Sequence, residues 1–210
     1  MILDERWLNE FVTLMVILDP PGLIPIFLGL TVGMNSSQQR QTALTASVIA
    51  LCLLAVFALG GAQILAALGI STDAFRIAGG ILLFYIAFEM IFEKRQERKQ
   101  STVKTALTRD NIRNIAAFPL AMPLIAGPGT ISATVLMAGR HHDVRGILTT
   151  LFVLCLVILI CYGVMLLASP IERLIGSTGR SILTRLFGVL LSAVAVQFVV
   201  NGLRALAWPA

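Results

Sequence analysis

Leu18-Asp19-Pro20-Pro21-Gly22-Leu23-Ile24-Pro25 lies in the middle of the apolar run Leu8–Leu30, and its reading decides the fold. About 20 apolar residues cross a bilayer as a helix, so the run is long enough to span. Yet its midpoint is Asp19, followed by two prolines. A carboxylate at that depth is costly, and each proline removes an N–H that a helix interior needs. Irregular backbone survives at membrane depth only where protein buries it or a polar cavity solvates it. A span broken at its centre, with a carboxylate in the break, marks a candidate site.

Composition agrees with the membrane reading. Of the 210 residues, 57% are hydrophobic and 13% charged, and mean hydropathy is +0.89. A soluble domain has roughly a quarter of its residues charged. We therefore expect an all-α polytopic membrane protein with six transmembrane helices. They fall at about Leu8–Leu30, Ala43–Leu68, Ala74–Phe92, Ile115–Gly139, Gly146–Ser169 and Ile182–Ala207. The first is not read as a cleaved signal peptide, because its flank is Asp4-Glu5-Arg6 and no small-residue cleavage site precedes the prolines.

The net charge of +5 reads as topology rather than as a nucleic-acid footprint. With alternate loops on alternate sides, one side holds Arg40, the seven Lys and Arg of 93–114, Arg173, Arg180 and Arg185. The other holds Arg6, Arg76, Arg140, Arg145 and Arg204. Basic residues collect on the cytoplasmic side. Both termini are then expected on the side away from the cytoplasm. Glu89, near the cytoplasmic end of its span and close to Lys94, is expected to reach water.

The polar stretch 93–114 divides the chain into a first unit, 1–92, and a second, 115–210. Sliding the second back by 107 positions puts Pro128-Gly129 on Pro21-Gly22, Ile131 on Ile24 and Gly176 on Gly69. A two-residue insertion then aligns Arg185, Gly188 and Leu191 with Arg76, Gly79 and Leu82. Three spans is an odd number, so the second copy enters the membrane from the opposite face. Two inverted three-helix repeats with broken first helices are the expected architecture. Many secondary transporters are built this way, with midplane sites on discontinuous helices.

The breaks release backbone groups. Pro20, Pro21 and Pro25 cannot donate to the carbonyls of Val16, Ile17 and Pro21, and Pro119, Pro123 and Pro128 orphan those of Ile115, Pro119 and Leu124. Where each helix resumes, near Gly22 and Gly129, the first N–H groups lack partners and favour an anion. Carbonyls for an ammonium group and N–H groups for a carboxylate suit a zwitterionic amino acid. The candidate substrate-binding residues are Asp19, Pro20, Pro21, Gly22, Gly127, Pro128, Gly129 and Thr130, with Gln197 and Asn201 from the sixth span. Two roles are open to Asp19: an N-cap for the half-helix beginning at Pro20, or a cap that also binds substrate or a proton. Thr130 and Ser132 either bind solute or bond back to their own helix. Gln197 and Asn201, four apart on one face, also suit interhelical contacts.

No cofactor is expected. Cys52, Cys155 and Cys161 all fall inside apolar spans, which gives neither a disulfide framework nor a thiolate metal set. His141-His142-Asp143 is a poor metal site, since adjacent histidines on regular backbone point apart.

Four motifs carry a resemblance: Asp-Pro-Pro-Gly-Leu-Ile-Pro-Ile-Phe (19–27), Phe-Arg-Ile-Ala-Gly-Gly (75–80), Pro-Leu-Ala-Met-Pro-Leu-Ile-Ala-Gly-Pro-Gly-Thr-Ile (119–131) and Gln-Phe-Val-Val-Asn-Gly (197–202). Together they resemble the MarC family of integral membrane proteins over essentially the whole chain. The resemblance implies a multi-pass protein of a bacterial inner membrane with both termini periplasmic, in a family related to the lysine-exporter superfamily, some members of which are described as small neutral amino-acid transporters. It implicates the breaks at Asp19–Gly22 and Gly127–Thr130, although many members carry Asn where this chain has Asp19. The expected function is secondary transport of small solutes, small neutral amino acids first, coupled to a proton or sodium gradient because no ATP-binding signature is present. The alternatives are a channel for water, small neutral solutes or ions, and a helper or sensor subunit. No enzyme activity is expected, for want of a nucleophile–base pair. The partners implied are the substrate and the lipid bilayer, and no nucleic acid.

Overall fold

The computed structural model describes residues 5–94, 116–140 and 143–207. All the regular structure in them is helical. The chain runs α1 (Glu5–Leu18), α2 (Pro20–Leu30), α3 (Ser36–Ala67), α4 (Thr72–Ile91), a π-helix (Ala116–Ile125), α5 (Pro128–Ala138), α6 (Val144–Leu166) and α7 (Ala168–Ala207). Five stretches are long and apolar enough to cross a membrane: Trp7–Leu30, Ser36–Ala67, Thr72–Ile91, Val144–Leu166 and Ala168–Ala207. The π-helix and α5 stand where the fourth of the six expected spans lies. The protein is thus an all-helical polytopic membrane protein. Most of the expected linker 93–114, and the pair His141-His142, lie outside the described residues.

Two boundaries differ from the sequence reading, each for a local reason. α3 begins at Ser36 rather than near Ala43, because Asn35 and Gln38 form a reciprocal capping box at 2.9 Å each way. These first turns are polar and mostly exposed, so an apolar window starts too late. The stretch expected to be a loop between Ser169 and Ile182 is helical and joins the last span, interrupted only where Gly176 takes φ 68° and ψ 178°. Such a backbone is accessible to glycine at little cost.

The broken spans form the centre of the bundle. Of the 18-residue apolar window within Trp7–Leu30, 67% is buried, against 28–39% for the same window of the other four spans. α5 buries nine of its residues, from Gly129 to Ala138, with only Ile131 interrupting the run. Leu14, Ile17, Leu18, Leu23, Ile26, Phe27 and Leu30 are all among the largest fully buried side chains. α3, α4, α6 and α7 surround this core and expose apolar residues such as Leu59, Phe84, Phe152 and Val189. In a bilayer those faces meet lipid at no cost.

α4 and α7 make the most extensive contact in the molecule, and small residues allow it. A Cβ on Gly80 would lie 2.9 Å from the Ala195 carbonyl oxygen, one on Gly188 3.1 Å from that of Ala87, and one on Gly202 3.0 Å from that of Asp73. The two backbones therefore approach at three levels. The other principal contacts pair α3 with α6, the π-helix and α5, and α1 and α2 with α6 and α7. Nearly all of them run between residues 5–91 and residues 116–207, not within either stretch.

Candidate functional site

At the first break a single residue leaves the helix. Asp19 has φ 53° and ψ 66°, the left-handed region that Asp and Asn tolerate better than other side chains. Its N–H still donates to the Met15 carbonyl at 3.1 Å, and its own carbonyl accepts from Leu23 N–H at 3.2 Å. The chain therefore turns without losing contact between α1 and α2. Pro20 and Pro21 fill the first two positions of α2, where no N–H is needed. Asp19 Oδ1 accepts from Gly22 N–H at 3.2 Å and from the Thr184 hydroxyl, also at 3.2 Å. The cap is real, and α7 completes it. Asp19 is fully buried; Pro20 and Gly22 are buried, and Pro21 is half-buried. Protein, not open cavity, surrounds this break.

The second break is built differently. Ala126 N–H donates to the Ala121 carbonyl at 2.8 Å, an i→i−5 bond that closes the π-helix. Pro119 and Pro123 lie four apart inside it and supply no N–H, which works against a regular i→i−4 ladder. Pi-helical turns are rare and recur at functional positions. The chain is extended at Gly127, with φ −80° and ψ 170°, and restarts as α5 at Pro128. Gly127 offers no side-chain cap, so the first turn of α5 lacks the carboxylate that Asp19 gives α2. A helix N-terminus in this state attracts negative charge.

A cavity of about 520 Å³ adjoins this second break. Ala126 and Pro128 border it, with Phe57, Gly61 and Leu65 of α3, Leu68 just after it, Phe75 of α4, and Ile131, Ser132 and Val135 of α5. Its walls are almost wholly apolar, with Ser132 giving the one hydroxyl among them. Residues 19–22 do not border it. Gly129 faces elsewhere: a Cβ there would lie 2.4 Å from Ile86 Cδ1, so it seats α5 on α4. Gly127 and Thr130 are buried. Gln197 and Asn201 do not reach the cavity either. Gln197 Nε2 donates to Asn201 Oδ1 at 2.7 Å, so they bond to each other along α7.

The sequence reading passed over two buried contacts. Thr184, 165 residues from Asp19, is one of them. The other is Glu10, 6% exposed, which accepts from the buried Thr150 hydroxyl at 3.0 Å. A carboxylate inside an apolar span is the signal that could have found Glu10. Glu89, expected to reach water, is instead 4% exposed, because it lies on the side of α4 that also buries Ile86 and Met90. At the α4 terminus, Glu93 accepts from Ser181 and pairs with Arg185 at 3.0 Å. These contacts, the Ser181 hydroxyl foremost, hold its carboxyl below the ordinary carboxylate range. Among the described residues, no group of three His, Cys, Asp or Glu could hold a metal ion.

The comparison with known proteins fits this architecture. The model of the MarC family of integral membrane proteins matches residues 5–207. The chain belongs to the MarC family. Among its relatives, the UPF0056 membrane protein MJ1677 of Methanocaldococcus jannaschii is 38% identical over 200 residues, covering 95% of this chain and 97% of that one. The UPF0056 membrane protein YhcE of Escherichia coli is 35% identical over 196 residues, covering 93% and 91%. The UPF0056 inner membrane protein MarC of Salmonella paratyphi A is 32% identical over 200 residues, covering 91% and 90%. No solved structure matches.

Proposed function

We propose that this MarC-family chain is a secondary transporter of small solutes, small neutral amino acids first, rather than an enzyme. We place it in the inner membrane, where the name of its Salmonella relative puts that protein, with both termini periplasmic. The observation that carries the reading is the burial of both interrupted spans at the centre of the bundle. Broken helices enclosed by intact ones are how transporters bring backbone donors and acceptors to the midplane. The apolar wall beside the second break favours a solute without net charge.

The reading includes two inverted repeats. In support, α2 and α5 are each 11 residues long, and their starts, Pro20 and Pro128, lie as far apart in sequence as the starts of α3 and α6, Ser36 and Val144. Gly69 and Gly176, which align in sequence, share φ 68°. The packing is also reciprocal: α3 touches the π-helix and α5 as α6 touches α1 and α2, and α4 meets α5 as α7 meets α2. In this scheme Asp19 is the site for a coupling proton, and Thr184 holds it.

Counterflow of labelled amino acids in proteoliposomes tests the reading. Saturable exchange supports a transporter. Linear, uncoupled flux would make the protein a channel, and no movement by the purified chain would make it a helper or sensor. If Asp19 couples protons, Asp19→Asn keeps counterflow and loses the dependence of net uptake on a pH gradient. Equal gradient-driven uptake by the two proteins removes the proton from the scheme and leaves the solute site.

A further inference from the structure

Two arginines, Arg76 and Arg140, stand near the end of the bundle where α4 begins and α5 ends. The turn after α5 sits on the start of α4, since a Cβ on Gly139 would lie 3.9 Å from Thr72 Cγ2. One stripe of α7 receives Arg140 and the turn of α4 that carries Arg76. The Arg140 guanidinium lies 4.9 Å from the centre of the Phe198 ring. One turn further along, Gly202 packs on Asp73 and Ile77, which flank Arg76. Although Arg140 is exposed, desolvation first and then the Arg76 charge lower its pKa, and Glu10 of α1 opposes the shift.

The carboxylates already there leave guanidinium donors over. Asp73 Oδ1 accepts from Arg76 Nη1 at 2.8 Å, and Glu10 accepts from Thr150. Arg76 Nε is buried and has no hydrogen-bond partner, although the side chain keeps 17% of its surface exposed. A buried donor without an acceptor is costly, and more so when it carries charge. A guanidinium presents a planar fork that matches a carboxylate, and stacking Arg140 on a ring leaves its in-plane N–H groups available.

We propose that Arg76 and Arg140 form a binding site for the carboxylate of a small solute at this end of the bundle. Its purpose rests on the solute-transport reading above, and it narrows the substrate class to solutes that carry a carboxylate. The acceptor that Arg76 Nε lacks is the ligand's.

The test uses the full chain in lipid nanodiscs, with propionate as probe and propionamide, its neutral counterpart, as control. Saturating propionate should slow phenylglyoxal modification of Arg140 about tenfold or more, read by mass spectrometry of its peptide, and propionamide should not. Arg76→Gln should abolish the protection. Arg76→Lys, which keeps the charge but not the fork, should weaken it and guards against a folding defect. Equal protection by the two probes, or protection that survives Arg76→Gln, overturns the site. Alanine counterflow whose KM is unmoved by Arg140→Gln overturns it too and leaves transport standing. Propionate protection without any counterflow sinks the transport reading and leaves the carboxylate site.

Discussion

Asp19 performs two tasks that most side chains cannot combine: it tolerates left-handed backbone and it caps α2. Asn can do both, so Asp19→Asn should melt close to wild type in detergent. Asp19→Ala should lose about 0.5–2 kcal/mol for the cap and a further loss of about 1–2 kcal/mol for the backbone. If Asn melts as low as Ala, the charge and not the geometry holds this break. Thr184→Val should cost about 1.5–3 kcal/mol if the carboxylate is ionised. A double-mutant cycle with Asp19→Asn reads their coupling directly. Glu93 gives a pH signature of opposite exposure, at the surface rather than in the core. Its folded pKa is depressed, so its contribution is present above the ordinary carboxylate value of 4.5 and is lost as pH falls through the folded value. Glu93→Gln should therefore lower the melting temperature slightly at pH 7, and progressively less as the pH falls below 4.5. A difference that persists in acid would assign the effect to packing.

Helices in this protein are specified by two kinds of information, and only one of them is local. Gly80 and Gly60 separate the two. A Cβ on Gly80 meets the Ala195 carbonyl oxygen and the Val199 nitrogen, which are backbone and cannot turn aside, whereas one on Gly60 meets nothing within 4 Å. Gly80→Ala should destabilise by about 1–3 kcal/mol. Gly60→Ala should be neutral or stabilise by about 0.5–1 kcal/mol, the ordinary helix preference. Thermal denaturation in one detergent compares them, and a neutral Gly80→Ala would mean that α4 and α7 are not in close contact. The broken spans were legible in the sequence because apolar runs and prolines act within a turn or two of themselves. The start of α3 was not, because its capping box lies in polar residues that an apolar window discards. The π-helix had a signal in the spacing of Pro119 and Pro123, but a missing donor does not say which ladder replaces it. The burial of Glu89 and the Thr184 and Thr150 hydroxyls depends on which helix lies opposite, and that is fixed by packing over 140 or more residues of separation for the two threonines.

The whole molecule depends on the interleaving of its two halves. α1 and α2 find their principal neighbours in α5, α6 and α7, all from the second half, and α3 and α4 likewise pack chiefly on that half. A span can insert into a bilayer on its own, and helices associate afterwards through packing and polar contacts. A fragment ending in the stretch 95–114 should therefore insert but not assemble. It would lack Thr184 and Thr150, the hydroxyls that meet Asp19 and Glu10. Carboxylates that lose a hydroxyl partner at membrane depth are expensive, so the isolated half would aggregate or be degraded. Supplying the second half as a separate chain restores the described contacts, which run chiefly between residues 5–91 and residues 116–207. Co-expressed fragments divided in 95–114 should accordingly copurify as one complex in mild detergent, with a cooperative melt, while neither fragment alone gives one. Thr184→Val in the second fragment should lower the melt of the complex as it does that of the intact chain. If the first fragment alone runs as a single species with a cooperative melt, its helices have partners among themselves, and the interleaved packing is not what holds the protein together.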